Sequence, residues 1–174
     1  MSFTLGDYVT EFSLEATSDR TITNQDLKNQ FTILYFYPKD STPGCTTEGH
    51  DFNDRLQAFR ELNCQILGVS MDSMKRHENF KAKQGFHFDL ISDPEMVLCN
   101  LFGTYQLKKN FGKEYMGIVR STFLIDPDGK IISEWREVKV KEHAQTLLTL
   151  LQALESNKSW QNTLKLGSIK NKLD

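Results

Sequence analysis

The chain has 174 residues, 39% of them hydrophobic and 25% charged, and a formal net charge of −2. This length and composition are typical of one globular domain with a sizeable core. The balanced charge excludes a general basic surface for nucleic acid or an anionic membrane. No apolar stretch approaches the roughly 20 residues that span a bilayer, so we expect no membrane partner.

The first ten residues carry neither a cationic start nor an apolar run, which predicts no signal peptide and a cytoplasmic location. The chain has three cysteines, Cys45, Cys64 and Cys99. An odd number cannot pair completely within the chain, and the spacing is unlike a secreted disulfide framework. We therefore expect the thiols to be reduced at rest. No Cys/His spacing offers three ligands, so we expect no metal and no cofactor.

The first part of the chain predicts a hairpin, a short helix and a buried strand. Phe12 and Leu14 alternate with polar residues, and residues 20–22 follow as a return strand. Residues 23–26 offer capping side chains for a short helix. The apolar run 31–37 predicts a central strand that helices cover on both faces.

The middle of the chain alternates helical and strand patterns. One apolar stripe after residue 44 predicts a single helix through Phe52, Leu56, Phe59 and Leu62. The next predicted elements are a strand (65–70), a helix (73–84), a strand (88–91) and a helix (95–101). We expect residues 103–116 to be irregular.

The last part predicts a strand (120–126), a tight turn at 126–129, a returning strand (130–135) and a helix (142–155). This order predicts an α/β fold of thioredoxin-like type, with a mixed central sheet, helices on both faces and an N-terminal hairpin extension. We expect one domain over residues 1–155.

The tail, residues 156–174, differs from the rest of the chain. It is polar, with four lysines against one aspartate, and it carries apolar side chains such as Trp160 and Leu164. Either its apolar side chains rest on the domain, or it forms an amphipathic helix that docks on a partner subunit. The expected oligomeric state is a monomer or a weak dimer.

The segment from Pro38 to Glu48 lies between the buried strand 31–37 and an amphipathic helix. Pro43 and Gly44 force a tight turn, so Cys45 is expected in the first turn of that helix. There the unpaired backbone N–H groups and the helix dipole favour a thiolate, which is the nucleophilic form of cysteine. The hydroxyl of Thr42 is placed to reach the same pocket.

Pro38-x3-Thr42-x2-Cys45 is similar to the active-site motif of peroxiredoxins. The wider segment Tyr-Phe-Tyr-Pro-Lys-Asp-x-Thr-Pro-Gly-Cys-Thr-x-Glu, residues 35–48, resembles the bacterioferritin comigratory protein (peroxiredoxin Q) branch. Residues 67–70, 90–93, 112–126 and 128–131 also fit that branch, and the resemblance covers about residues 1–155 in order.

The resemblance implies a thiol-dependent peroxidase that reduces hydrogen peroxide and organic hydroperoxides, in antioxidant defence. Cys45 would attack the peroxide and become a sulfenic acid. Thr42 would hydrogen-bond the thiolate and the peroxide, and Pro38 would shield the pocket from water. Arg120 would stabilise the developing charge, and Glu48 would orient that arginine.

The resemblance fails at the position of the resolving cysteine. The branch often carries this cysteine five residues after the peroxidatic one, where the present chain has His50; a second known placement falls near Lys81. Cys64 and Cys99 remain, and their apolar flanks favour buried, inert thiols. We therefore expect thioredoxin, glutaredoxin/glutathione or a similar external thiol to reduce the sulfenic acid.

A cysteine at this position is also compatible in principle with three other functions. A dithiol oxidoreductase needs Cys-x-x-Cys, and Glu48 occupies the second position. A cysteine hydrolase would need a histidine base, and no nucleophile signature surrounds the four candidates, His50, His77, His87 and His143. A redox sensor or holdase would use oxidation of Cys45 without rapid turnover, and it stays the alternative hypothesis.

Overall fold

The computed structural model describes residues 2–157. The predicted tail, 156–174, lies almost entirely outside the described residues. Seven strands form one sheet in the order β2-β1-β5-β4-β3-β8-β9, and β6 and β7 form a separate pair. The strands are β1 Ser13–Ala16, β2 Arg20–Thr23, β3 Phe31–Phe36, β4 Cys64–Ser70, β5 Asp89–Ser92, β6 Tyr105–Asn110, β7 Lys113–Ile118, β8 Ser121–Ile125 and β9 Ile131–Arg136.

Five α-helices and one 3-10 turn accompany these strands within residues 2–157. The helices are α1 Pro43–Asp54, α2 Leu56–Glu61, α3 Met74–Gln84, α4 Val97–Leu101 and α5, residues 143–157. The 3-10 turn, Asn24–Leu27, starts at Thr23, whose side chain and that of Asp26 form a capping box. No helix in the described part of the chain is both long and apolar enough to cross a membrane.

The sheet is mixed and carries a buried core on each face. Strands β3, β4 and β5 run parallel, whereas β8 pairs antiparallel with β3, and β1 pairs antiparallel with both β2 and β5. One core contains residues of α1, α2, α3 and α5, and the other contains residues of α4 and the N-terminal region. The central strand β3 is buried over all but its first residue, as the continuous apolar run predicted. The predicted thioredoxin-like fold and its N-terminal hairpin are confirmed.

The prediction of a single helix through Leu62 is wrong, because the helix breaks at Arg55. The backbone N–H of Arg55 bonds to the carbonyl of Phe52, 3.2 Å away, and its guanidinium Nη1 bonds to the carbonyl of Asp51 at 2.9 Å. The side chain thereby satisfies a carbonyl that the interrupted helix leaves free. The apolar stripe continues across the break, with Phe52, Leu56 and Phe59 buried in one core, and so the sequence pattern concealed the break.

The prediction of irregular structure at residues 103–116 is also wrong, because β6 and β7 pair in register from Tyr105–Ile118 to Asn110–Lys113. Phe111 and Gly112 connect them with φ of 51° and 75°. Positive φ at both central residues is the geometry of a tight hairpin turn. The turn lacks the usual Asn-Gly signal, and both strands are largely exposed, so no alternation of buried and exposed residues marked them.

Candidate active site

Cys45 lies in the first turn of α1, directly after the loop that leaves the carboxyl end of β3. Thr42 is the N-cap residue and has extended backbone angles, and Pro43 begins the helix. The first helical backbone bond runs from the N–H of Thr46 to the carbonyl of Thr42, 2.9 Å. The amides of Gly44 and Cys45 precede it, and no side chain caps them. Such free N–H groups favour an anion at this helix end.

Arg120 connects Cys45 to a buried carboxylate. Its Nη2 donates to Cys45 Sγ at 3.4 Å, and its Nη1 donates to Glu48 Oε1 at 2.7 Å. The sheet brings these residues together, because Ser121 on β8 pairs with Phe36 at the end of β3. Arg120 therefore lies beside the loop that leads into α1, and Glu48 is one helical turn after the cysteine.

Burial and the ion pair act against each other at this site. Burial of the Arg120 guanidinium disfavours its charge, but Glu48 and Cys45 outweigh this effect and raise the pKa of Arg120. Burial raises the pKa of Glu48 to about 7, although Arg120 acts in the opposite direction. Glu48 Oε2 is buried and has no hydrogen-bond partner among residues 2–157, which adds to the cost of ionising this carboxyl.

Thr42 and Pro38 lie on the same loop but contact other groups. The Thr42 hydroxyl donates to the carbonyl of Lys39 at 2.7 Å. With its proton engaged there, the oxygen can accept a hydrogen bond from a peroxide O–H. Pro38 is half-buried and lines a cavity of about 260 Å³ with Met71 and Arg76.

The two positions at which the branch carries a resolving cysteine are engaged in other contacts. His50 Nε2 lies 2.8 Å from Gln84 Oε1, and its ring packs edge-on against Phe86. Lys81 Nζ donates to Asp89 Oδ1 at 2.7 Å. Both side chains form contacts with or from α3, and within residues 2–157 neither hydrogen-bonds to Cys45.

Cys64 and Cys99 are free and buried, 2% and 0% exposed. Burial raises the pKa of Cys64 to about 12 and, together with Asp93, raises that of Cys99 further. Cys99 belongs to the core on the opposite face of the sheet from Cys45. These thiols therefore lack the thiolate character that makes a cysteine reactive.

None of the four histidines hydrogen-bonds to Cys45 in the described part of the chain. His143 Nε2 lies 2.8 Å from Thr122 Oγ1, and its ring packs against Phe52 and Trp135. Burial and the nearby Arg120 lower the pKa of His143 to about 4, so it is neutral at pH 7. The Cys–His pair that a cysteine hydrolase would need is not formed in this geometry.

A buried polar cluster next to the loop between β3 and α1 was not predicted from the sequence. Asp40 Oδ2 lies 2.6 Å from His77 Nδ1, and Asp40 Oδ1 accepts from the Tyr37 hydroxyl at 2.6 Å. Asp40, Asp72 and His77 also place potential metal-ligating atoms within 4.8 Å of one another. Those of Asp40 and His77 are bonded to each other, and Asp72 accepts from the Asp40 backbone, so we assign no metal. The only sequence signal for this cluster was the position of Asp40, two residues before Thr42.

Comparison with known proteins identifies the family of the chain. Residues 5–134 match the AhpC/TSA family. The chain is 50% identical to the peroxiredoxin Bcp of Bacillus subtilis over 151 residues, 86% of this chain and 96% of that protein. The chain belongs to the AhpC/TSA family.

Solved structures of AhpC/TSA proteins have the same fold. The peroxiredoxin Q of Xylella fastidiosa superposes with a TM-score of 0.84 at 42% identity, covering 89% of this chain and 99% of that one. The bacterioferritin comigratory protein of Xanthomonas campestris, described for alkyl peroxide reduction, superposes with a TM-score of 0.78 at 45% identity, covering 84% and 98%. The chain is a thiol-dependent peroxidase of the Bcp/peroxiredoxin Q type, an antioxidant oxidoreductase.

Proposed function

We propose that Cys45 is the peroxidatic nucleophile and that Arg120, oriented by Glu48, activates both the thiolate and the peroxide. The hydrogen bonds from one guanidinium to Cys45 Sγ and Glu48 Oε1 carry this proposal. A guanidinium fixed at one end by a buried carboxylate keeps its remaining N–H groups aimed at the sulfur. Such preorganised donors lower the barrier where negative charge develops.

In the proposed reaction the Cys45 thiolate attacks one oxygen of the hydroperoxide. An S–O bond forms as the O–O bond breaks, and the departing oxygen takes a proton and leaves as water or an alcohol. Thr42 accepts a hydrogen bond from the peroxide O–H and fixes its approach. Arg120 stabilises the negative charge as it moves from sulfur to the departing oxygen. We assign Pro38 the role of shielding this step from water.

We further propose that recovery uses an external thiol. Cys64 pairs with Phe31 at the start of β3, whereas Cys45 follows the end of that strand. Six strand residues separate the two ends by about 17 Å, but a disulfide requires Cα atoms within about 7 Å. Cys99 lies across the sheet. A thiol donor therefore condenses with the sulfenic acid, releasing water, and a second thiol resolves the mixed disulfide.

The direct test is peroxide consumption with thioredoxin, glutaredoxin/glutathione or dithiothreitol as the electron donor. We expect many equivalents of hydrogen peroxide or an organic hydroperoxide to be consumed per chain, and no consumption by Cys45→Ser. Activity retained by that variant would contradict the proposal. Stoichiometric oxidation of Cys45 without turnover, with every donor, would instead favour the redox sensor or holdase.

Intact mass after one equivalent of peroxide tests the recovery step. Without a thiol, we expect the wild type to gain the mass of one oxygen atom. With a small thiol as a trap, we expect a mixed disulfide at Cys45 instead. Loss of two hydrogens, abolished by Cys64→Ser or by Cys99→Ser alone, would identify that residue as a resolving cysteine. A doubled mass would show a Cys45 bridge between two subunits.

The compartment and the donor belong to the same proposal. Three free thiols and an external thiol donor fit the reducing environment of the cytoplasm. Thioredoxin and glutaredoxin/glutathione are the donors of this kind that such a compartment supplies. The donor that gives the highest turnover in the consumption assay identifies the partner.

A further inference from the structure

The loop between β3 and α1 is fixed at Asp40, whose side chain is 1% exposed. Its Oδ1 accepts from the Tyr37 hydroxyl at 2.6 Å, and its Oδ2 lies 2.6 Å from His77 Nδ1. Its backbone N–H donates to Asp72 Oδ2 at 2.9 Å. One residue of this short loop is thus bonded through three different atoms.

The hydrogen-bond partners of His77 define where its protons lie. Nε2 is 3.0 Å from the carbonyl oxygen of Ile91, which can only accept, so Nε2 carries a proton. Nδ1 faces a carboxylate oxygen, so a second proton lies between Nδ1 and Asp40 Oδ2. The two side chains are 0% and 1% exposed and are joined by a short hydrogen bond. Removing one partner of such a pair leaves the other buried without compensation.

The Asp40–His77 pair lies so close to the reacting atoms that a small displacement of Asp40 would also move Thr42 and Cys45. Asp40 precedes Thr42 by two residues and Cys45 by five. Ser41, between Asp40 and Thr42, has a φ of 63°, which is unusual for a residue other than glycine. Arg120 approaches Cys45 from the residue before β8, the strand that pairs with β3, and not from the loop itself. The 3.4 Å contact between them therefore depends on how the loop is anchored. Misplacing reacting groups by about 1 Å costs on the order of a hundredfold in rate.

We propose that His77 is a positioning residue for the peroxidase reaction: through Asp40 it holds Thr42 and the first turn of α1 in register with Arg120. This inference rests on the proposed role of Cys45. His77 is on α3 and contacts no reacting group. Its Nε2 bonds to the Ile91 carbonyl on β5. The Asp40–His77 pair therefore connects the loop with α3 and β5.

Two amide substitutions separate the two bonds of His77. The amide of His77→Asn lies near the position of Nδ1 and keeps a donor for Asp40. The amide of His77→Gln reaches the position of Nε2 and keeps a donor for the Ile91 carbonyl, but leaves Asp40 Oδ2 unpaired. Each variant is measured for the rate of Cys45 oxidation by hydrogen peroxide, the rate of Cys45 alkylation by iodoacetamide, and Tm.

Alkylation needs an available thiolate but not an aligned peroxide, so the ratio of the two rates reports positioning. We expect His77→Gln to lower the peroxide-to-alkylation ratio by about tenfold or more, and His77→Asn to stay within about threefold of the wild type. Phe102→Leu, a buried change in the core across the sheet, is the stability control and should lower Tm without changing the ratio.

An unchanged peroxide-to-alkylation ratio in His77→Gln would overturn the inference. Equal decreases of this ratio in both amide variants, in proportion to their decreases in Tm, would also overturn it. If His77→Gln does not fold, Tyr37→Phe removes a donor from the same carboxylate, and we expect a lower ratio there too; an unchanged ratio would then overturn the inference. Failure of the proposed function is distinguishable, because peroxide would then not oxidise Cys45 in the wild type.

Discussion

Arg120 Nη2 donates to Cys45 Sγ at 3.4 Å, although 75 residues separate the two in the chain. The same guanidinium is held at 2.7 Å by Glu48, whose side chain is only 2% exposed. A cation that is fixed by a buried carboxylate and points at a helix-terminal sulfur is suited to stabilise the negative charge that develops in the proposed reaction.

Arg120→Lys should lower the second-order rate of Cys45 oxidation by about a hundredfold or more, because one ammonium cannot replace a planar fork that contacts Cys45 and Glu48 together. Stopped-flow oxidation with hydrogen peroxide measures this rate. Arg136→Lys, a change of the same kind on β9, is the matched control and should keep the wild-type rate. An Arg120→Lys rate within a few-fold of the wild type would contradict the assigned role.

Glu48 should make folding stability depend on pH. Its pKa is about 7 in the folded chain and near 4.5 when unfolded, so the folded state binds the proton more tightly. This contribution is fully present below pH 4.5 and is lost as pH rises to 7, a change on the order of 3 kcal/mol. The free energy of unfolding of Glu48→Gln, measured by urea denaturation across this pH range, should lack this pH-dependent contribution. Parallel pH profiles for the two proteins would contradict the buried carboxyl.

His143 should contribute with the opposite sign. Its folded pKa of about 4 lies below the ordinary value of 6.5, because burial and Arg120 disfavour the charged ring. This contribution is present above pH 6.5 and is lost as pH falls towards 4. Relative to the wild type, His143→Gln should gain stability as pH falls through this window, since the Gln amide can reach Thr122 without titrating. Urea denaturation at pH values between 4 and 6.5 measures this difference in the free energy of unfolding. A difference between His143→Gln and the wild type that stays constant over this range would contradict the prediction.

Thr42 should act through its hydroxyl oxygen. Thr42→Ser keeps the bond to the Lys39 carbonyl and should stay within a few-fold of the wild-type peroxide rate. Thr42→Val has nearly the same shape without the oxygen and should lower that rate by about tenfold to a hundredfold, since one orienting hydrogen bond is lost. Alkylation of Cys45 by iodoacetamide is the control and should change little in both. Equal peroxide rates for Ser and Val would assign Thr42 a structural role.

Much of the fold was predictable because its signals are local. The apolar run at β3, the capping residues at Thr23 and the turn at residues 126–129 each express a short-range preference of the backbone. The break at Arg55 was not predictable, because the buried stripe continues through it. The β6–β7 hairpin was missed because its strands face solvent and its turn is Phe-Gly.

The sequence by itself determined where Cys45 lies: a turn at Pro43 and Gly44 places it where a helix begins, and that depends on neighbouring residues alone. Only the tertiary structure decided what surrounds it. The antiparallel pairing of β8 with β3 brings Arg120 to the sulfur, and burial sets the protonation of Glu48. The burial of Cys64 and Cys99 was predicted from their apolar flanks, but their separation from Cys45 follows only from the packing of the sheet.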